Sequence, residues 1–237
     1  MARRKLFRFA QNAAASNVIE VGKPIYSAIK GKWREMYFKN DHPIVLELAC
    51  GKGEYTVGLG KTFSDRNYIG VDIKGDRIAR GSQAALQLGL TNVAFLRTSI
   101  QFLDEFFEPG EVDEIWLVHP DPQPKDRDEK KRLTNQNFLT RYARLIKPGG
   151  LFHLKTDNPF LYDYTLEVIR SMPGYELLEH TDDLYESELL VDHYNITTHY
   201  EKLFREQGFT IKYIRARIVG VDTASTMNQE KVAQKAD

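Results

Sequence analysis

Glu47, Gly51, Gly53 and Asp72 stand where a chain of this kind could hold a ligand. The stretch Ile44-Val-Leu-Glu-Leu-Ala-Cys-Gly-Lys-Gly53 reads as a short apolar strand breaking into a glycine turn, and Gly70-Val-Asp72 as a second strand ending on an acid. The two turn glycines let the backbone bend sharply and leave room for a ligand against the main chain, where a Cβ would intrude. An acid about 20 residues further on, at the tip of the next strand, is placed to accept both hydroxyls of a ribose. The pattern predicts a nucleoside-bearing cofactor. A dinucleotide would ask for a third small residue three positions after the second glycine, and this chain has Thr56 there. Glu47, inside the first strand, would repel a pyrophosphate but suits a cation, such as the sulfonium and ammonium of S-adenosylmethionine.

The next chemistry-bearing segment is His119-Pro-Asp-Pro-Gln-Pro-Lys125, at the end of the very apolar run Ile115-Trp-Leu-Val118. In open parallel sheets ligands gather at the carboxyl ends of central strands, so Asp121 should face the same crevice as Gly51 and Asp72. Pro120 and Pro122 fix φ on either side and hold that carboxylate with little loop entropy. Lys125, Arg127, Lys130, Lys131 and Arg132 follow, interleaved with Asp126, Asp128 and Glu129. Their place at the mouth of the crevice points to phosphate contacts, which position a nucleic acid without reading its sequence. Thr198-His-Tyr-Glu201 has two readings: a helix capping box, with Thr198 as N-cap and Glu201 three residues on, or a substrate contact.

The order E-x-x-x-G-x-G, G-V-D, P-D-P-x-P-K, K-K-R-L-T, K-P-G-G, K-T-D and T-x-Y-E spans about residues 44 to 205. Its first element resembles motif I of the class I methyltransferases, and the whole resembles the bacterial tRNA (guanine-N7)-methyltransferase family. The resemblance implies a Rossmann-like α/β fold, S-adenosylmethionine as cofactor, tRNA as partner and guanosine 46 of the variable loop as the target. It also implies that Glu47, Gly51, Gly53, Asp72, Ser99 and Asp121 bind the cofactor, with Asp121 in the active site. Lys125, Asp157, Thr198, His199, Tyr200 and Glu201 match its substrate-binding positions. Three departures stand out: Ser99 where the family has an acid near the adenine amino group, Gln123 for the usual Trp, and Asp128 for a common histidine. Alternatives are a methyltransferase acting on another nucleic-acid base or small molecule, and a tRNA-binding protein with weak or no catalysis. Guanine N7 carries a free lone pair, so attack on a sulfonium methyl needs no general base.

These residues need a scaffold, and the chain has the length for one large α/β domain, at 237 residues. Strand-like runs at 44–49, 68–72, 93–97, 113–118 and 151–155 alternate with helical ones at 54–63, 75–88, 100–107, 134–146, 159–171 and 197–207. That alternation predicts a mainly parallel sheet with helices on both faces. Thr134 is the expected N-cap of its helix, and Lys147-Pro-Gly-Gly150 the turn into the fifth strand. A last strand near 211–218 should turn one face to the core and show Arg215 and Arg217 to solvent. Lys+Arg and Asp+Glu both number 33, so any polyanion attraction must be local. Residues 1–39 hold nine Lys and Arg against two Glu. The expected organisation is a basic N-terminal arm at 1–40, a methyltransferase domain at 41–221 and a flexible tail at 222–237. A single cysteine, Cys50, with no metal-like spacing of ligands, fits a reducing cytoplasm and no metal. No run approaches a membrane span. A monomer and a homodimer both stand open.

Overall fold

Along each central strand the side chains alternate between two separate apolar clusters, and this period of two makes the sheet the middle layer. Leu46, Leu48, Ile69, Val71, Leu96, Ile115, Leu117 and Leu154 enter one cluster. Val45, Tyr68, Val93, Phe95, Trp116 and Val118 enter the other. In the computed structural model, which describes residues 2–220, the strands are β1 (Val18–Ile19), β2 (Ile44–Leu48), β3 (Asn67–Val71), β4 (Val93–Leu96), β5 (Val112–Val118), β6 (Ile146–Thr156), β7 (Tyr175–Thr181) and β8 (Lys212–Ile218). Their order across the sheet is β1-β4-β3-β2-β5-β6-β8-β7. All neighbours are parallel except β8, which runs antiparallel to both β6 and β7. The helices are α1 (Ala2–Ala14), α2 (Glu54–Thr62), α3 (Gly75–Gln87), α4 (Gln136–Leu145), α5 (Pro159–Ser171) and α6 (His199–Glu206). Leu139 and Tyr142 of α4 and Leu161 and Ile169 of α5 cover one face. Tyr55 and Leu59 of α2 and Ile78 and Ala85 of α3 cover the other. The mainly parallel α/β sheet with helices on both faces is therefore present.

Several local expectations change. Part of the first forty residues is built into the domain: β1 extends the sheet edge beside β4, and α1 packs on α3, where Asn12 Nδ2 donates to Gly75 O at 2.7 Å. Trp33 is fully buried and stacks on Phe107. Lys23 spends its ammonium on the carbonyls of Asn12, Ala15 and Val18, and Arg34 pairs with Asp113 at 3.0 Å. Part of the basic N-terminal charge is thus structural. Asn135, not Thr134, caps α4, accepting from Phe138 N at 3.0 Å. Thr134 is turned inward, where its hydroxyl accepts from Thr165 at 2.8 Å. The Lys147–Gly150 stretch belongs to β6 and is absorbed where the register with β5 jumps from Val112/Ile146 to Glu114/Leu151. The 100–107 helix is a short 3₁₀ segment, Ile100–Glu105. Arg217 faces solvent as expected and Arg215 is half-buried, and β7 brings Glu176 and Glu179 into register opposite them as ion pairs. The expected tail at 222–237 lies outside the described residues.

Gly81 decides how closely α3 approaches the β2–α2 turn. A Cβ there would lie 2.7 Å from the Lys52 carbonyl and 2.7 Å from the Phe95 ring. Alanine in a helix interior normally adds about 1 kcal/mol over glycine. Gly81→Ala is expected to do the opposite, destabilising by about 1–3 kcal/mol through overpacking, read by urea denaturation; a stabilised variant would show that the helix moves away freely.

Candidate active site

Two adjacent strands end in the same unusual way. Just past β2 Ala49 has φ 56°, and just past β5 His119 has φ 49°, left-handed backbone that is rare for alanine and uncommon even for histidine. Such strain costs roughly 1–3 kcal/mol per residue and persists where the surroundings enforce it. From β2 the chain passes to β3 and β4 on one side, and later to β5 and β6 on the other, so these ends flank the switch point of the sheet. A crevice opens there as two cavities that share Ala49.

One cavity is lined by Asp72, Ile73, Thr98, Ser99, Ile100, Leu133 and Phe138, which suits a flat apolar ring with a ribose at its edge. Asp72, at the tip of β3, accepts from Gly51 N at 2.9 Å through Oδ2 and from Lys74 N at 2.7 Å through Oδ1. Those bonds fix the carboxylate and leave each oxygen a further lone pair. Ser99 precedes the Ile100–Glu105 turn and is half-buried on the cavity wall. Gly51 has φ 56° and nothing within 4 Å of its missing Cβ, so the turn leaves open space above the main chain. Gly53 has φ 68°, and a Cβ there would meet the Phe95 ring at 2.5 Å.

The other cavity is lined by Glu47, Ala49, Cys50, Gly51, Lys52, His119, Thr198 and Tyr200 among others. Glu47 accepts from Thr56 N at 2.7 Å and from the Thr56 hydroxyl, both on Oε2, which pins the start of α2 to β2 and leaves Oε1 for a ligand. Burial, with Asp72 and Glu54 adding to it against the Thr56 bonds, pushes the Glu47 carboxyl up to about 7. Burial likewise pushes the Cys50 thiol up, helped by Glu47 and Asp72, so the thiol stays protonated and is no nucleophile.

On the substrate side the predicted residues are only partly brought together. Asp121 is exposed on its loop, its one contact being a long 3.5 Å approach from Gln123 N. Lys125 is exposed beside it. Asp157, just past β6, accepts from His119 Nδ1 at 3.0 Å. Tyr200 is 49% exposed, with the Lys52 ammonium 5.6 Å from its ring centroid. His199 N donates to Glu54 at 2.8 Å, tying α6 to α2.

Thr198 and Glu201 divide the two readings of their segment. Thr198 is a true N-cap, its hydroxyl accepting from Glu201 N at 3.2 Å. The Glu201 side chain does not close the capping box and is not at the crevice surface: it is fully buried. Its carboxylate takes Lys155 Nζ at 3.1 Å, His193 Nε2 at 2.8 Å and the Tyr185 hydroxyl at 3.0 Å, with His119 Nε2 3.7 Å away. A direct substrate contact by Glu201 is therefore replaced by a structural one. Burial alone would raise its pKa, but His119, His193 and Lys155 hold it well below the usual carboxylate range. Lys155 is itself fully buried, and burial lowers its pKa against the pull of Glu201. His119 is raised: burial lowers it, and Asp157 and Glu201 more than compensate. His193 and Tyr185 belong to none of the sequence motifs, and Lys155 enters only as the first residue of K-T-D. A lysine inside the strand run Phe152-His-Leu-Lys155 is the one signal that pointed to a buried carboxylate partner.

Comparison with known proteins bears directly on this crevice. A family model described as "Putative methyltransferase" matches residues 41–214. The tRNA (guanine-N(7)-)-methyltransferase of Cytophaga hutchinsonii is 49% identical over 216 residues, covering 91% of this chain and 97% of its own. That of Bacteroides thetaiotaomicron is 48% identical, covering 92% and 87%. The chain belongs to the tRNA (guanine-N7)-methyltransferase family. Solved structures at low identity carry the same fold: the 16S rRNA methyltransferase KamB at TM-score 0.58, 16% identity and coverage of 79% and 93%, and TrmN from Thermus thermophilus at 0.54, 20%, 89% and 52%. The family membership thus agrees with the motif order read from the sequence.

Removing the Glu201 charge strands a buried ammonium. Glu201→Gln is expected to cost about 3–5 kcal/mol of stability at pH 7, measured by urea denaturation. A loss below about 1 kcal/mol would mean that Lys155 finds another counter-ion or sheds its proton.

Proposed function

We propose that this chain transfers a methyl group from S-adenosylmethionine to N7 of guanine 46 in the variable loop of tRNA, in the cytoplasm. The observation that carries the reading is the divided crevice at Ala49. A ribose-type acid and a ring-shaped apolar wall lie on one side of it, and Glu47, His119 and Tyr200 on the other. The names of the relatives support tRNA and the N7 atom of guanine, without the position.

The residues fit that cofactor. Asp72 would take the ribose hydroxyls, Ser99 and Thr98 border the adenine wall, and the Gly51 turn offers main chain without side-chain obstruction. Glu47 faces the cationic end. S-adenosylmethionine supplies a methyl group made electrophilic by its sulfonium. Every other part of the work is positioning and electrostatics. Guanine N7 needs no base, so the protein's task is to hold the purine in line at roughly 3–3.5 Å from the transferred carbon. Asp157, oriented by His119, would accept from guanine N1–H and N2–H. Asp121, exposed and unpaired, can approach the purine as positive charge moves onto it. Tyr200 with Lys52 over it offers a stacking face at the rim. Lys125, Arg127 and Lys130 are exposed for phosphates.

Glu47 gives this reading a pH signature. Its carboxyl titrates near 7 when the site is free, and a cationic ligand favours the ionised form. Cofactor affinity should therefore rise with pH up to about 7 and fall toward tenfold per unit below it, as calorimetric titration from pH 5.5 to 7.5 would show. Glu47→Gln should bind more weakly and without that slope. A flat profile for the unaltered protein would remove Glu47 from cation binding.

The reaction itself is tested with tRNA transcripts. A transcript with guanine at 46 should accept methyl, and the same transcript with adenine at 46 should accept none; methylation of both would reject the position. Asp121→Asn should bind the cofactor normally and lose about 2 kcal/mol or more of transition-state stabilisation. Unchanged kcat would take Asp121 out of the mechanism.

A further inference from the structure

The basic run after Asp121 is not uniform. Lys125, Arg127, Lys130 and Lys131 are exposed, whereas Arg132 is buried, with 4% of its side chain accessible. Its guanidinium lies against two neighbouring rings of α5, 4.7 Å from the Phe160 centroid and 4.5 Å from that of Tyr164. Nε donates to Gln123 O at 3.0 Å and Nη2 to Lys125 O at 3.4 Å. Asp126 and Glu129 stand at 4.0 and 3.9 Å, and the Tyr164 hydroxyl donates to Glu129 at 2.8 Å.

Among the described residues, the loop that Arg132 grips has few other hydrogen bonds to hold it. Pro120, Pro122 and Pro124 have no N–H to donate, and the Gln123 N–H has only its long contact with Asp121. Gln123 itself sits at φ 46°, strained for that residue type. The carbonyl of this strained residue is the one that receives the Arg132 Nε bond. Phe160 and Tyr164 follow Asp157 by three and seven residues. One side chain therefore ties the loop of Asp121 and Lys125 to the helix that starts beside Asp157.

We infer that Arg132 is a positioning residue for methyl transfer: it clamps the Asp121–Lys125 loop onto α5, so that the two acids of the substrate site keep a fixed relation, and it meets no phosphate. This rests on the methyl-transfer reading above. Lysine keeps the charge but cannot lay a planar cation against two rings while forking to two carbonyls.

The test is Arg132→Lys in the full chain, with three readouts. Turnover should fall by about 10- to 100-fold, because small misplacements at a reacting centre carry costs of that size. KM for tRNA should stay within about twofold, and the salt dependence of tRNA binding should keep its slope, as no phosphate contact is lost. Tryptic cleavage at Lys125, Arg127, Lys130 and Lys131 should quicken by about tenfold as the loop opens, with the thermal midpoint close to that of the parent. Phe160→Ala, at a residue 38% exposed, removes one ring and should shift kcat and cleavage in the same direction by less, and non-additively with Arg132→Lys. Unchanged turnover and cleavage in Arg132→Lys would overturn the clamp. So would a raised KM with a shallower salt slope in Arg132→Met, which would make the residue a phosphate ligand. The cleavage readout needs no tRNA: an inactive parent protein would sink the methyl-transfer reading, while cleavage would still judge the clamp.

Discussion

The mouth of this crevice depends on one buried carboxylate. Glu201 gathers Lys155 from β6, His193 and Tyr185 from the segment between β7 and α6, and stands within 3.7 Å of His119 at the end of β5. A charge taken out of water is tolerated only when its partners are in place, so the cluster is cooperative: losing one member strands the others. Because Glu201 also starts α6 under the Thr198 cap, fixing its carboxylate fixes where Thr198 and Tyr200 meet the cavity. His119 extends the same order to Asp157. The substrate side is thus held from beneath by residues that need not touch substrate.

Charge is layered in the same way. Glu47 and Asp72 are buried acids, one in each cavity, and Asp157 lies part-buried just past β6, while Lys125, Arg127 and Lys130 are exposed on the segment after Asp121. The depth favours a positively charged ligand and a purine that becomes positive during reaction. The rim favours a polyanion. A chain with equal numbers of acidic and basic residues can serve both because it segregates them by depth, which no net charge records.

The cofactor half was legible in the sequence because its signals are local: a glycine turn after an apolar strand and an acid at the next strand tip are each fixed by a few adjacent residues. The parallel sheet was legible from alternation for the same reason. What escaped notice depends on partners far apart in the chain. Thr198 and Glu201 fit a capping box on spacing alone, yet the glutamate is drawn inward by Lys155, 46 residues away. Arg132 looked like one more phosphate contact until Phe160 and Tyr164 closed on it. β7, with the sequence Tyr-Glu-Leu-Leu-Glu-His-Thr, has no clean apolar period because its edge position is stabilised by glutamates paired with the arginines of β8. The left-handed turn at Ala49 has no residue-type signal, and the histidine at 119 gives only a weak one.

The central claim is that this crevice delivers methyl to a ring nitrogen that needs no base. The most direct measurement incubates the protein with methyl-labelled S-adenosylmethionine and unmodified bulk tRNA, digests the RNA to nucleosides and identifies the labelled product by mass spectrometry and chromatography. The account predicts 7-methylguanosine. Label in a nucleoside methylated on an exocyclic amine or a ribose hydroxyl would contradict it, because the methyl would then sit on an atom other than guanine N7.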